Sequence, residues 1–337
     1  MKYGSSFPRR WNRGSSFAGA IVWLLLLLPW SGWLSLPVET GGETWLIERL
    51  LLLSVLVFTP LTLALLATRR KDGPHPLPLR AAALFQPFAA VFVVVAFHMR
   101  TGLPAARLTA GWILVTGLIA LFGLWRVSQR WVARKRLLPM EELCIDAGLA
   151  YVTVGSGWLF LSRRGLNPLG FSDTIVLLTA VHFHYAGFAA PILAGLTGRK
   201  IQSGIARKLY LPSAAGVLAG PPLVAAGITL SRGVEVFSAF ILALSLFTLA
   251  LLTLFVIVPA LKRGAARWLL TLSSLSVIIT MVFACLYAVG RFTGNEIIPL
   301  PLMAQVHGVG NALGFVLCGL LGWLLINPQS LESRARI

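Results

Sequence analysis

Apolar residues in this chain come in long runs that are separated by short polar segments. A membrane-spanning helix needs about 20 mostly apolar residues, because it must cross a hydrocarbon core of roughly 30 Å. The runs have about this length, and the pattern predicts ten spans. The predicted spans are 17–36, 45–67, 82–98, 105–125, 140–162, 173–196, 210–230, 234–261, 266–290 and 302–326.

The composition agrees with this pattern. The 337 residues are 57% hydrophobic and only 12% charged, whereas a soluble domain carries about 25% charged residues. The mean hydropathy is +0.82. The 32 glycines and 19 prolines also occur inside apolar runs, and membrane helices contain more of both than soluble helices do. We therefore predict an all-α, polytopic transmembrane helical bundle in a lipid bilayer.

The charges predict an orientation for the spans. The net charge is +18, and most of the 29 Lys and Arg residues lie in every second loop. Because short cytoplasmic loops are rich in Lys and Arg, this alternation predicts that both termini are cytoplasmic. The basic loops predict contact with anionic inner-leaflet lipids and no nucleic-acid partner. The basic segments are 1–16, 68–81, 126–139, 197–209, 262–267 and 327–337.

The same pattern predicts three parts of the chain. These are a basic cytoplasmic tail at 1–16, a single transmembrane domain at 17–326 and a cytoplasmic tail at 327–337. The first apolar run follows a basic start, as in a secretory signal, but it is long and lacks an A-x-A-like cleavage site. We expect a retained first helix and a multi-pass protein of the cytoplasmic membrane. No C-x-x-C motif occurs, so neither a disulfide framework nor a zinc ribbon is indicated.

The predicted topology indicates how deep four polar residues lie within the membrane. His182 and His184, in "TAVHFHYAGF", lie about ten residues below the outer surface, near the midplane. His307 lies about five residues deep from the same side, and Asn311 is one turn further in on the same face. An ionisable residue within a span is a functional-site hypothesis by default.

Other polar residues lie closer to the two surfaces. Glu48, Gln305 and His98 fall in the outer half of the membrane under this topology. Asp146 falls in the inner half, one turn beyond Glu142. Because an ionised Asp inside a bilayer is unfavourable by a few kcal/mol or more, a functional and a structural role for Asp146 are both open.

Three hypotheses account for the histidines. The first is a transition-metal or haem site, with neutral imidazole as ligand; its candidate metal ligands are His98, His182, His184 and His307. Side chains at i and i+2 point about 200° apart on a regular helix, so His182 and His184 can share one ion only across a kink or π-bulge. Gly187 and Pro191 make such a distortion plausible.

The second hypothesis is proton transfer or the binding of a polar ligand, with Tyr185 as a neighbouring hydroxyl. The third is that the histidines and Asn311 hold helices together, at around 0.6 kcal/mol for each interhelical bond. The stretch "AQVHGVGNALGF" partly favours the third, because its small-x-x-x-small pairs allow helix backbones to approach closely.

Three strings carry a family resemblance: "EELCIDAGLAYVTVGSGWLFLSRRGLNPLGFSD", "LTAVHFHYAGF" and "AQVHGVGNALGF". They resemble the YndJ-like family of bacterial membrane proteins, over the chain from about 140 onward. The resemblance implies a polytopic bacterial membrane protein, of a family often labelled as transporters. It implies no catalytic residues.

These observations favour an intramembrane enzyme that acts on a lipid or isoprenoid-like substrate, because the polar groups concentrate in one half of the membrane. No catalytic motif is present to name the reaction. One alternative is a secondary transporter of a small molecule with a midplane His/Asn site. For a transporter, a trail of polar groups across the membrane is expected. The other alternative is a haem- or quinone-binding protein. The candidate catalytic residues are His182, His184, His307 and Asp146. The candidate residues for binding an apolar or amphipathic small molecule are Tyr185, Asn311, Glu48 and Gln305.

Overall fold

The computed structural model describes residues 8–28, 44–67, 75–134, 139–262 and 264–326. All regular structure in these ranges is helical. Ten long helices, labelled α1 to α10, occur there. They are Arg9–Leu27, Trp45–Leu66, Leu77–Phe97, Leu103–Arg134, Met140–Arg164, Asp173–Gly198, Gly204–Leu230, Arg232–Ala260, Ala265–Thr293 and Leu300–Leu325.

Within the described ranges, nine helices are long and apolar enough to cross a membrane. These are α2 to α10, and they follow nine of the ten predicted spans. The predicted all-α, polytopic class is therefore confirmed. The agreement is close because the thickness of the hydrocarbon core sets the length of each spanning helix separately.

Helix α1 departs from the prediction. It begins at Arg9, ahead of the predicted start at 17, so it includes part of the predicted basic tail. Its first half is polar, and it is not among the nine candidate spans. The rest of the first predicted span, beyond Leu28, and the predicted tail at 327–337 lie outside the described residues.

The chain divides into two compact units. The first unit consists of Met1–Arg126 and Leu149–His184, and the second of Val127–Gly148 and Tyr185–Ile337. The three boundaries between the units fall inside long helices, one each in α4, α5 and α6. The two candidate histidines of "HFH" therefore end the first unit, and the tyrosine that follows them begins the second.

Helix α2 forms the core of the first unit. It contacts α1, α3 and the beginning of α6, and its membrane-length window is entirely buried. Between Ser54 and Phe58 the helix widens into a π-turn. Two carbonyl groups of this turn accept side-chain hydrogen bonds, Val57 from Ser16 at 3.1 Å and Val55 from Gln86 at 2.9 Å. Side chains of α1 and α3 thus donate hydrogen bonds to backbone carbonyl groups that the π-turn exposes. Backbone polar groups inside a membrane must be hydrogen-bonded within the protein.

The second unit contains the end of α4, the beginning of α5, the end of α6 and helices α7 to α10. Consecutive helices are packed neighbours here, since α7 contacts α8, α8 contacts α9 and α9 contacts α10. Close backbone approach holds the α5–α6 pair together: a Cβ atom on Gly195 would lie 2.4 Å from the carbonyl oxygen of Glu141. Only glycine fits this position without displacing the neighbouring backbone.

Three spans share one local pattern, in which a π-turn ends two residues before a proline. The π-turns are Ser54–Phe58, Phe183–Ala189 and Thr253–Ile257, and the prolines are Pro60, Pro191 and Pro259. Proline lacks the N–H group that a regular helix requires and crowds the carbonyl one turn earlier. A wider turn moves that carbonyl aside, so the proline accounts for each distortion. The distortion expected near Pro191 is confirmed.

Candidate functional site

His184 is enclosed within the first unit. Its side chain is 0% exposed. The indole N–H of Trp112 donates to Nε2 of the imidazole across 3.0 Å. Nδ1 lies 2.8 Å from the carbonyl oxygen of Ala180. Because Nε2 accepts a hydrogen bond from the indole N–H, Nδ1 must carry the ring proton and donate a hydrogen bond to the carbonyl. His184 is therefore a neutral imidazole with both nitrogens engaged.

The neighbouring helix α5 is shaped around this imidazole. A Cβ atom on Gly155 would lie 2.6 Å from Nδ1 of His184, so a larger residue would displace the ring. Beside it, the hydroxyl groups of Thr116 and Ser156 form a hydrogen bond of 2.7 Å. Helices α4, α5 and α6 are thus joined at this level, and no ring nitrogen of His184 remains for a metal ion or a substrate.

His182 and Tyr185 flank this position. His182 is the last residue of regular helix before the π-turn and is half-buried. Its ring meets Phe183 edge to face, with the ring centroids 6.2 Å apart. Tyr185 lies within the π-turn and is buried. The π-turn thus begins between the two histidines, where the sequence predicted a departure from regular helix.

His307 belongs to a hydrogen-bonded cluster in the second unit. Its Nδ1 lies 2.9 Å from the carbonyl oxygen of Thr280 on α9, and its Nε2 lies 3.2 Å from the side-chain nitrogen of Asn311. The hydroxyl of Thr280 donates to the side-chain oxygen of Asn311 across 2.9 Å. His307, Asn311 and Thr280, called the outer triad after the predicted orientation, therefore close a ring of hydrogen bonds between α9 and α10, in which Thr280 contributes both its hydroxyl and its backbone carbonyl. The predicted shared role of His307 and Asn311 has a geometric basis in this contact.

Two serines of α9 extend the contact along α10. Ser276 donates to the carbonyl oxygen of Gly310 and Ser273 to that of Phe315, both across 2.7 Å. Both carbonyls belong to the π-segment Gly310–Leu317, where the regular ladder of helix hydrogen bonds is altered. The sequence analysis missed these serines. A signal for them exists, since Ser273, Ser276 and Thr280 recur at helical spacing along one face.

A cavity of about 30 Å³ lies beside this contact in the second unit. It has room for one or two water molecules. Apolar side chains form most of its wall, including Val277 and Phe315, and hydroxyl groups complete it. The hydroxyl-bearing residues on the cavity are Thr197, Thr253, Ser273 and Ser274.

Six charged side chains of the second unit form an ion-pair network. Arg199 binds both carboxylate oxygens of Glu142, at 2.7 and 2.9 Å. Arg207 pairs with Glu141 across 2.9 Å. Arg130 pairs with Asp146 and, more distantly, with Glu142 at 3.5 Å. Among the described residues, three arginines thus pair with three carboxylates. The members of this ion-pair network are Arg130, Glu141, Glu142, Asp146, Arg199 and Arg207.

The ion-pair network favours a structural role for Asp146, and its candidate catalytic role stays a prediction. Its side chain is 6% exposed, and a buried carboxylate is tolerated when a paired cation compensates it. The sequence did not reveal the partners of Asp146. Arg130 and Arg199 lie in the basic segments that adjoin α5 and α6, so the charge pattern contained a signal for them.

The remaining candidates lie apart from these contacts. Gln305 is exposed. Glu48 is half-buried in the first unit, where the charges of Arg163 and Arg49 act on it. Nδ1 of His98 lies 2.8 Å from the carbonyl oxygen of Val94, at the end of α3.

The candidate metal ligands divide between the two units. His98, His182 and His184 belong to the first unit, whereas His307 belongs to the second. In the part of the chain that the structure describes, no group of three or more His, Cys, Asp or Glu side chains could hold a metal ion. The predicted metal or haem site therefore receives no support from these residues, and it stays a prediction.

Similarity to known proteins agrees with this architecture. The family model described as YndJ-like protein matches residues 49–315. The chain belongs to the YndJ-like family. The match begins near the start of α2, so the family likeness covers the spans from α2 onward, including those before about 140, where the resemblance begins. Membership supports a membrane protein with several spanning helices, as the nine candidate spans indicate.

One curated relative is the uncharacterized membrane protein YndJ of Bacillus subtilis (strain 168), which is 32% identical over 298 residues. The alignment covers 85% of this chain and 50% of that protein. The chain thus spans about half the length of this YndJ-like relative. No solved structure shows significant similarity to the chain.

The contact between α9 and α10 yields a first testable prediction. A Cβ atom on Gly314 would lie 2.0 Å from the hydroxyl oxygen and 2.5 Å from Cβ of Ser276. We expect Gly314→Ala to lower the free energy of unfolding by about 1–3 kcal/mol, because the added methyl group overpacks this contact. Unfolding of the detergent-purified protein in sodium dodecyl sulfate, followed by circular dichroism, measures the effect.

Gly117→Ala is the matched control, since a Cβ atom there meets nothing within 4 Å. It is expected to leave stability unchanged or to raise it by up to about 1 kcal/mol, because alanine favours helix over glycine. Equal stability of the two variants would show that α9 and α10 do not approach closely at Gly314.

Proposed function

We propose that this YndJ-like protein is a secondary transporter that moves a small amphipathic molecule through its second unit. The observation that carries the proposal is a succession of polar groups along this unit. It runs from the outer triad, past the hydroxyl-lined cavity, to the ion-pair network. Secondary transporters place their substrate site near the bilayer midplane, on helices that are locally broken.

The outer triad adjoins the cavity on two helices. On α9, Thr280 of the triad lies three residues from Val277, which lines the cavity. On α10, Asn311 of the triad lies four residues from Phe315, which also lines it. Since three or four residues make about one helical turn, the triad lies immediately next to the cavity.

The ion-pair network adjoins the cavity on the other side. Thr197 of α6 lines the cavity, and Arg199, two residues further along, binds Glu142 across 2.7 Å. Two residues rise about 3 Å along a helix. The positive-inside rule predicts that this end is cytoplasmic, so we infer that the ion-pair network closes the cavity toward the cytoplasm.

The lining of the cavity indicates the class of substrate. Hydroxyl groups and apolar side chains surround it, and none of its lining residues is charged. Such a lining favours a neutral or amphipathic molecule with one or two hydrogen-bonding groups. Because the cavity has room for one or two water molecules in this structure, it must widen to admit such a molecule. The basic loops further favour a cytoplasmic membrane with anionic lipids on the inner side.

The transporter hypothesis is preferred to the enzyme hypothesis because of how the histidines are bonded. General acid or base catalysis requires a ring nitrogen within hydrogen-bond reach of the substrate. In His184, Nε2 contacts Trp112 and Nδ1 contacts Ala180. In His307, Nδ1 contacts Thr280 and Nε2 contacts Asn311. These contacts favour a role in helix packing and cavity shape.

Cysteine accessibility tests the proposed transport path. Cys144, Cys285 and Cys318 are first replaced with alanine, and Ser274→Cys, on the cavity, is then exposed to a charged, membrane-impermeant thiol reagent. Because thiolates form and react in water, we expect modification of this cysteine roughly tenfold faster than of Leu272→Cys. Leu272, two residues away, is 53% exposed on the outside of α9, where a bilayer covers it.

The side of access distinguishes transport from a static cavity. In intact cells and in inverted vesicles, Glu142→Gln combined with Arg199→Gln is expected to speed modification from the cytoplasmic side and to slow it from the outside, because the inner closure is removed. Rates no higher than those of Leu272→Cys from both sides, with and without the two charge substitutions, would contradict the proposal.

A further inference from the structure

Two arginines lie buried at one end of the first unit. Arg49 is in the second turn of α2 and is 4% exposed, while Arg163 is the penultimate residue of α5 and is 7% exposed. The end of α5 is joined to the segment before α4, because the N–H of Gly102 donates to the carbonyl oxygen of Arg163 across 2.8 Å. Glu48, which precedes Arg49 in α2, acts electrostatically on both arginines, so the two lie near one carboxylate. Buried arginine is rare in proteins unless it is paired.

Most of the hydrogen-bonding capacity of these guanidinium groups is unused. Arg163 donates to the carbonyl oxygen of Met99 across 2.7 Å and stacks over Phe97 at 4.9 Å. Arg49 lies over the ring of Trp45 at 5.5 Å. In both arginines Nε is buried and has no hydrogen-bond partner. A guanidinium group presents five N–H donors, so donors remain for a further acceptor.

The positive charge is also incompletely balanced. Among the described residues, neither arginine takes part in an ion pair with a carboxylate. Glu48 is the acidic side chain whose charge acts on both. Among the side chains that the structure describes, two buried cations therefore face one half-buried carboxylate, and a buried cation without a counter-charge is strongly unfavourable.

We propose that Arg49 and Arg163 bind the phosphate group of an anionic ligand at this end of the first unit. The planar fork of a guanidinium group matches the oxygens of phosphate. Both arginines lie within the terminal turns of spanning helices, and Trp23 donates to the carbonyl oxygen of Arg49 across 2.7 Å. Tryptophan is typical of the depth where lipid headgroups lie. The phosphate can belong to a lipid headgroup or to a free anion.

Native mass spectrometry of the detergent-purified, delipidated protein tests this site. The probes are phosphatidylglycerol, phosphatidylcholine and inorganic phosphate, each added alone and phosphate also in competition with phosphatidylglycerol. We expect one retained phosphate-bearing ligand, with affinity reduced about tenfold in Arg49→Gln and in Arg163→Gln. Arg100→Gln, which removes an exposed arginine from the same end, is the control and is expected to keep the affinity of the wild type.

The probes identify the source of the phosphate. Retention of phosphatidylglycerol that inorganic phosphate does not displace supports a lipid headgroup, whereas displacement or direct phosphate binding supports a free anion. Equal retention by wild type and by the Arg49→Gln/Arg163→Gln double variant overturns the proposal. So does an equal loss of affinity in Arg100→Gln, since that would indicate charge attraction without a defined site.

A second variant keeps the test decisive if the arginine variants do not fold. Glu48→Gln removes the negative charge that acts on both arginines and preserves the shape of the side chain. We expect it to strengthen binding of the phosphate-bearing probe several-fold. Unchanged or weaker binding in Glu48→Gln overturns the proposal independently.

Discussion

Replacement of Trp112 with alanine is expected to lower the free energy of unfolding by about 3–5 kcal/mol, the range for truncating a buried Trp. Trp112 is fully buried in the first unit. Its indole N–H bonds Nε2 of His184 across 3.0 Å, and the two rings stack with an interplanar angle of 16°. The substitution removes both contacts and leaves an unpaired nitrogen in a cavity. Unfolding in sodium dodecyl sulfate, followed by circular dichroism, gives the magnitude.

Trp112→Phe separates the hydrogen bond from the packing. It keeps a ring in place but leaves Nε2 of His184 without a donor, which is unfavourable by about 1–3 kcal/mol. A double-mutant cycle with His184→Phe then measures the coupling between the two side chains. The matched control is Trp268→Ala, since Trp268 is 71% exposed and its loss is expected to change stability by less than about 0.5 kcal/mol. If Trp112→Ala and Trp268→Ala have equal effects, His184 is not held as described.

Arg130→Gln is expected to destabilise the protein by about 3–5 kcal/mol, as does the removal of one partner from a buried ion pair. Arg130 pairs with Asp146 and lies 3.5 Å from Glu142. Without it, Asp146, whose side chain is 6% exposed, keeps a negative charge in a buried position. The same unfolding assay measures the loss. Lys208→Gln, an exposed cation in a neighbouring basic segment, is the control and should have little effect.

Asp146→Asn decides whether the carboxylate causes this loss. Combined with Arg130→Gln, it removes the buried negative charge that Arg130 pairs with, and we expect most of the lost stability to return. By itself it leaves Arg130 beside Glu142, so its effect is expected to be smaller than that of Arg130→Gln. A double variant no more stable than Arg130→Gln alone would argue that Arg130 acts through packing of its aliphatic chain.

Proline chemistry explains a feature that was readable from the sequence. Gly187 and Pro191 predicted a departure from regular helix near the histidines, and the π-turn Phe183–Ala189 confirms it. The signal was local, because a proline alters hydrogen bonds only within about one turn of itself. The same reasoning extends to Pro60 and Pro259, where the sequence analysis did not apply it.

The partners of the candidate residues were not readable in this way. Trp112 and His184 are 72 residues apart in the chain, and Thr280 and Asn311 are 31 apart. Which helices are neighbours decides such contacts, and the apolar surfaces of spanning helices contain little information about it, since lipid and protein are similarly apolar. The preference for an enzyme rested on depth alone. The contacts of the outer triad, the cavity and the ion-pair network changed the proposed function from an enzyme to a transporter.

The sequence by itself determined that this is an all-α membrane protein, and it located nine candidate spanning helices with most of their ends within three residues. The ends that differ most are the start of α3, the end of α4 and the start of α7. Each span can be read separately because the hydrocarbon core selects every helix for length and apolarity independently of its neighbours. Only the tertiary structure decided that His184 is locked by Trp112, that Asp146 is neutralised by Arg130 and that Arg49 and Arg163 lie buried at one end. A polar group inside a membrane must find a partner, but which partner it finds depends on how the helices pack.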